Sequence, residues 1–325
     1  WKGPACILGG AMAHLTLGTL YCWGNFMSYA PTNLRFFDGL EHPGAQPDAL
    51  YVIPLTILAQ AIAMPFGPSL VKAIGASRTL LLGSWISAAA VYLASYQTDL
   101  ASFILYYSLM FGAGAGLAYT SPMAAGWKWM PGSKGLVSGG VLAGFGAGGF
   151  LFSLIGSQAV NPDSLNPIAG RFPASVYDNF PVMLRKLAVL YAAISFLGSW
   201  LVTEPSIPVI QQQAPLVAQP VAEDVQPVLA APVTPVYIKG SRGLTVGQAL
   251  GTQQFWLLWS MIITCATAGL NTAAVYKQFA ATSAALTGDE FQALVGGIGA
   301  LFNGIGRVFW GTVSDKIGFK ASFTI

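Results

Sequence analysis

Apolar residues run along this chain in blocks of about twenty, separated by short polar or charged stretches. The blocks cover roughly 5–29, 49–71, 79–96, 100–120, 136–158, 183–202, 255–276 and 291–312. Each is long enough to cross a bilayer as a helix, the form in which a single segment satisfies its own backbone polar groups in hydrocarbon. Between the sixth and seventh blocks lies "EPSIPVIQQQAPLVAQPVAEDVQPVLAAPVTPVYIKGSRG", dense in Pro, Ala, Val and Gln, without helical or strand period. It reads as an extended, largely disordered linker. Six blocks, a linker and two more blocks predict an N-terminal six-helix transmembrane bundle over 1–203 and a Pro-rich flexible linker over 204–246. The first two helices of a second bundle follow over 247–325, with its remaining helices outside the chain.

Composition supports an all-α membrane protein: 54% of the 325 residues are hydrophobic, 8% are charged, and the mean hydropathy of +0.60 is too high for a water-soluble domain. A net charge of +3 leaves no footprint for nucleic acid, and the charges serve instead to orient the spans. With the N-terminus inside, Lys2, Lys72, Arg78, Lys128, Lys134, Lys239, Arg242, Lys316 and Lys320 are cytoplasmic. Arg35, Arg171, Arg185, Lys186 and Lys277 are outside, as are most of the acids. That bias places the N-terminus and linker in the cytoplasm. Arg185 and Lys186, in the outer part of the sixth span, fit it least well. Cys6, Cys22 and Cys265 lack metal or disulfide spacing and read as small buried hydrophobes, so no metal and no cofactor is expected. No charged, apolar and A-x-A sequence precedes the first block, so no cleaved presequence is expected.

The candidate chemistry sits in the last block. An arginine at a helix centre costs roughly 2.5–3.5 kcal/mol on insertion scales, so Arg307 should face a watery cavity or a partner. No acid lies within the eight blocks to neutralise it. It either receives a carboxylate-bearing substrate through its bidentate donors or holds a structural partner such as a helix-end carbonyl. Asn303 is one turn before it on the same face. His14, deep in the first span, is either a proton carrier or a hydrogen-bonded packing residue. Tyr21, Gln60 and Tyr119 are candidate hydrogen-bonding groups of the same cavity or interfacial anchors. "GTVSDKIG" (311–318) reads as a gating loop, with Gly311 and Gly318 as hinges, Asp315 able to cap a neighbouring helix and Lys316 at the surface. The loop after the second span keeps Lys72 and Arg78 but has no acid. In "GGVLAGFGAGG" (139–149), Gly140, Gly144 and Gly148 fall four apart on one face, as close helix packing requires.

Four stretches in order, "GTLYCWGNF" (18–26), "GAGAGLAYTSPMAAGWKWMPGSKGLVSGG" (112–140), "QFWLLWSM" (254–261) and "NGIGRVFWGTVSDKIG" (303–318), resemble the major facilitator superfamily. Within it they resemble the oxalate/formate antiporter family, with the monocarboxylate transporters further off. The resemblance implies a twelve-helix carrier of small carboxylates in which the eighth-helix arginine, Arg307 here, contacts the substrate. Tyr21, Gln60 and Tyr119 fall where that family has polar cavity residues, and a second cation belongs to an eleventh helix outside the chain. In proton-coupled monocarboxylate transporters an aspartate stands one turn before the arginine. Here that position is Asn303, which cannot titrate.

These readings give a secondary transporter, not an enzyme, that exchanges a small organic anion such as oxalate, formate, pyruvate or lactate across a lipid bilayer, and is expected to be monomeric. Two alternatives stand beside it: a proton-coupled monocarboxylate symporter using His14, and a transporter-like sensor that binds a carboxylate without moving it.

Overall fold

The computed structural model describes residues 1–41, 44–168, 171–205, 246–283, 285–286 and 288–325. Its long helices are α1 (Lys2–Tyr29), α2 (Asp48–Ile74), α3 (Ala76–Ala94), α4 (Leu100–Trp129), α5 (Lys134–Val160), α6 (Ala174–Leu201), α7 (Gln253–Ser283) and α8 (Asp289–Ile317). Seven of them are long and apolar enough to cross a membrane. The other, α3, is 19 residues long and is diluted by Arg78 in its first turn and by Ser77, Ser84 and Ser87. The fold is all-α and membrane-embedded. The linker expected over 204–246 falls almost wholly on 206–245, outside the described residues.

Two segments differ from the sequence reading. Helix α7 continues to Ser283, past the end of its apolar block at 276, and α8 already begins at Asp289. Lys277 therefore belongs to a helix and is buried, not on the outer surface. "GTVSDKIG" is not a loop either, because α8 stays helical through Ile317. The chain turns only at Gly318, whose φ of +82° suits glycine and whose N–H donates to the Ser314 carbonyl. Hydropathy marks hydrocarbon, whereas a helix runs on wherever its terminal groups find partners.

The chain divides into two compact units, 1–209 with 271–325, and 210–270. In the described part of the second, a short helix (Val246–Leu250) is stitched to the start of α7. There Thr252 Oγ1 donates to the Ala249 carbonyl (2.7 Å) and Trp256 Nε1 to that of Leu250 (2.9 Å). The first unit is organised by α5, which presents glycines on two faces. A β-carbon at Gly144 would lie 2.2 Å from the Ala11 carbonyl oxygen, and one at Gly148 2.0 Å from that of Leu15, so this face lies directly on the α1 backbone. On the other face a β-carbon at Gly139 would lie 2.3 Å from the Arg307 carbonyl oxygen, and one at Gly146 2.3 Å from the Gly304 nitrogen. Thus α1 and α8 are held on either side of α5 at backbone distance.

Gly148→Ala should lower the thermal unfolding temperature of the detergent-solubilised protein, with a cost of about 1–3 kcal/mol for an overpacked contact. Gly132→Ala, where nothing lies within 4 Å, should leave it unchanged.

Candidate functional site

The close α5–α8 contact fixes where Arg307 stands, and a local tightening of α1 brings Tyr21 to it. At Gly18 the α1 backbone touches Phe145 of α5, and a β-carbon there would lie 2.1 Å from the Phe145 carbonyl oxygen. The Thr16 and Thr19 hydroxyls bond back to the Ala13 and Thr16 carbonyls, both at 2.8 Å, and residues Gly18–Cys22 wind into a narrower helical turn. Arg307 then donates from Nε to Asn303 Oδ1 (3.0 Å) and from Nη2 to the Tyr21 hydroxyl (3.2 Å). The Tyr119 hydroxyl also stands in hydrogen-bonding contact with the guanidinium, which still leaves N–H groups of the five unspent, and no acid pairs with Arg307 among the described residues.

The neighbouring wall is aromatic. Phe145 sits edge-on to Tyr21 (6.2 Å between ring centroids) and to Tyr119 (5.6 Å), and His14 lies against both Tyr119 and Phe145 at 5.4 Å. The Arg307 charge is within electrostatic reach of Tyr119 and His14. His14 is wholly buried. Its Nδ1 is 2.9 Å from the Gly10 carbonyl, which requires the proton on Nδ1, and Nε2 is left as a buried acceptor without a donor. Tyr21, Tyr119, His14, Asn303 and Arg307 thus come together from α1, α4 and α8. Gln60 is not joined to them by a hydrogen bond among the described residues. It lies on α2 where that helix packs on α4, and a β-carbon at Gly116 would sit 2.4 Å from the Gln60 carbonyl oxygen. The assembled group is a fixed cation with unspent donors, backed by hydroxyls and rings, and can receive the two oxygens of a carboxylate.

Of the expected gating residues, Gly311, Asp315, Lys316 and Gly318 lie at the opposite end of α8 from Asp289, and Lys72 and Arg78 lie on α2 and α3. Asp315 accepts from the Gly135 and Leu136 backbone N–H groups, each at 2.7 Å, and so caps the N-terminus of α5 where four donors lack helical partners. A β-carbon at Gly311 would lie 2.3 Å from the Gly135 carbonyl oxygen, the close approach that brings Asp315 to this terminus. Lys316, Lys72 and Arg78 are exposed. The missing acid of the first loop comes from elsewhere: Glu204, just beyond α6, accepts from the Ala76 N–H (2.9 Å) at the start of α3 and pairs with Lys128. Trp129 Nε1 donates to the Thr203 carbonyl (2.7 Å), and the Ser77 hydroxyl to that of Ser199 (2.7 Å), completing the tie between α3, α4 and α6. No sequence spacing announces Glu204, because it lies 128 residues from the backbone group it caps. The ion pair between Lys277 and Asp289 was also hidden. Its sequence signal is a lysine flanked on both sides by helix-forming residues in "AAVYKQFAA" (273–281).

Burial works to raise the Glu204 pKa, but the Lys128 hydrogen bond, the Ala76 N–H and the Lys128 charge outweigh it and hold the pKa below the usual range. A carboxylate depressed in the folded state stabilises the fold above its unfolded pKa and loses that contribution as pH falls through the lowered value. Thermal unfolding should therefore show an acid-side loss of stability that is reduced in Glu204→Gln. Equal pH profiles for the two proteins would show that this cluster does not hold the end of the bundle.

No family model matches the chain. It is 28% identical over 383 residues to apicoplast pyruvate carrier 1 of Toxoplasma gondii, an alignment covering 99% of this chain and 69% of that protein. It is 28% identical to the oxalate:formate antiporter of Oxalobacter formigenes over 93% of this chain and 60% of the relative. It is 23% identical to an uncharacterised MFS-type transporter of Escherichia coli K12 over 96% of this chain and 66% of the relative. The chain thus spans about two thirds of the length of these curated relatives. These alignments, covering 93–99% of this chain, and the all-helical membrane fold agree with the four ordered motifs: the chain is similar to membrane transporters of the major facilitator type, an oxalate:formate antiporter among them.

Proposed function

We propose that the protein carries small organic carboxylates across a membrane by alternating access, with Arg307 as the group that receives the carboxylate. The observation that carries this reading is a half-buried guanidinium held by Asn303 and Tyr21, with further donors unspent and no acid beside it among the described residues. In a site shielded from bulk water such a cation attracts a carboxylate far more strongly than at a surface. The names of two relatives, a pyruvate carrier and an oxalate:formate antiporter, support the substrate class. In this reading α1–α6 form one half of a monomeric carrier and α7 and α8 open the other. The end carrying Asp315 and the linker face the cytoplasm. Asp315, capping α5 from α8, is then a contact that must release when the cytoplasmic end opens.

Exchange is favoured over proton symport because Asn303 cannot take up a proton. One observation supports the second reading, proton-linked monocarboxylate symport: the orphaned Nε2 of His14 beside the same aromatic wall.

In liposomes containing the full-length protein, counterflow of labelled oxalate, formate, pyruvate or lactate should occur and should be insensitive to pH between 6 and 8, roughly the range in which histidine titrates. Arg307→Gln should abolish it while expression and unfolding temperature persist. Normal counterflow in Arg307→Gln would remove Arg307 from the site. A pH-dependent uptake abolished by His14→Gln would establish the symport reading instead.

A further inference from the structure

At the end of the bundle opposite Asp315, six polar side chains form one buried network. Lys277 of α7 spends all three ammonium protons: on Asp289 Oδ1 of α8 (2.5 Å), on Asn25 Oδ1 of α1 (2.8 Å) and on the Tyr29 hydroxyl of α1 (3.1 Å). The Tyr29 hydroxyl donates to the Asp289 carboxylate, 2.8 and 2.9 Å from its two oxygens, and lies 3.0 Å from Ser157 Oγ of α5. Asn161, just beyond α5, donates to Asp289 Oδ2 (2.9 Å), and Asn25 Nδ2 donates to Ser157 Oγ (2.7 Å). The Lys277 ammonium also stands 4.3 Å from the centre of the Tyr29 ring. Lys277 is 6% exposed and Asp289 4%, so both ions are shut away from water.

Two features separate this cluster from the Arg307 group. Its charges are mutually neutralised and every lysine proton has an acceptor, so it offers nothing to an incoming anion. Its hydrogen bonds also divide into two sets. The Lys277–Asp289 pair joins α7 to α8, whereas the bonds to Asn25, Tyr29 and Asn161 join those helices to α1 and α5. Two further bonds reinforce the second set: Asn166 Oδ1 accepts from the Asp289 N–H (3.2 Å), and Ser164 Oγ donates to Glu290 (2.7 Å).

We propose that Asp289, held by Lys277 and gripped by Tyr29 and Asn161 across the interface, is the lock that keeps this end of the transport pathway closed. The inference rests on the alternating-access reading. If α7 and α8 swing away from α1 and α5, the ion pair travels intact with its own half while the crossing bonds break. A charged lock suits a reversible closure, since on opening the ions pass into water that solvates them well, in place of an apolar seal that would have to be wetted. On α8 the lock stands 18 residues, or about 27 Å, from Arg307 on one side, and Asp315 stands about 12 Å away on the other.

The test is reaction of single cysteines with a membrane-impermeant thiol reagent in the full-length protein carrying Cys265→Ser, without substrate. Ala293→Cys, one turn beyond Asp289 and 1% exposed, reports the lock end, and Thr312→Cys, one turn before Asp315, reports the other. Tyr29→Phe and Asn161→Ala each remove a crossing bond to a charged group and spare the ion pair. Each should speed labelling of Ala293→Cys about tenfold without speeding that of Thr312→Cys. Counterflow in Arg307→Gln reads the carboxylate site, and labelling of Ala293→Cys in Tyr29→Phe and Asn161→Ala reads the lock, so the failure of either is seen separately. Unchanged labelling of Ala293→Cys in both variants would overturn the proposal. So would an equal rise at both reporter positions, which would mark a general loosening of the fold.

Discussion

Apolar helices in a bilayer gain little by burying side chains against one another, because the lipid they leave is equally apolar. What remains is the fit of backbone against backbone and the few polar contacts that such approach permits. In this protein both depend on α5. Its glycines at 144 and 148 set α1 on one face, and those at 139 and 146 set α8 on the other. With larger residues there, the Arg307 and Tyr21 side chains, contributed by helices far apart in sequence, could not meet at 3.2 Å.

Along α8 the polar chemistry is graded by what each charge is allowed to keep. Asp289 is paired and saturated, Arg307 is oriented but left with donors to spare, and Asp315 rests on exposed backbone N–H groups. Burying an ion costs several kcal/mol unless its partners restore what water supplied, which is why the deepest charges are also the most fully bonded. Along α8, Arg307 departs from that rule: it is half-buried and keeps guanidinium donors to spare.

The basic end of the first six helices follows a different plan. The stretch expected to be a loop after α2 is helical on both sides of Gly75, with Lys72 in α2 and Arg78 in α3 and no acid of its own, and the tertiary structure supplies the acid from just beyond α6 as Glu204. The tie joins three helices through one carboxylate, one ammonium and a helix N-terminus, so it does not depend on any single surface ion pair, which would be worth little.

The blocks of about twenty apolar residues determined the membrane class and the approximate positions of the long helices, because hydrocarbon imposes length and polarity on any chain that crosses it. Arg307 and Asn303 were legible as well, since an arginine in an apolar run is costly wherever it is found and one helical turn is a fixed spacing. The two glycine faces of α5 were half legible: the four-residue stripe of 140, 144 and 148 is visible, but which helix each face meets is not. The company of Arg307 belonged to the tertiary structure. Tyr21 reaches it through a narrowed turn of α1, His14 and Tyr119 stand behind it, and Gln60 turns to a different contact. The Lys277–Asp289 pair was hidden because hydropathy ended the seventh span at 276 and assigned both ions to water. Whether a charge at a span's edge meets water or its counter-ion is decided by which helices pack around it, and no local stretch of sequence carries that information.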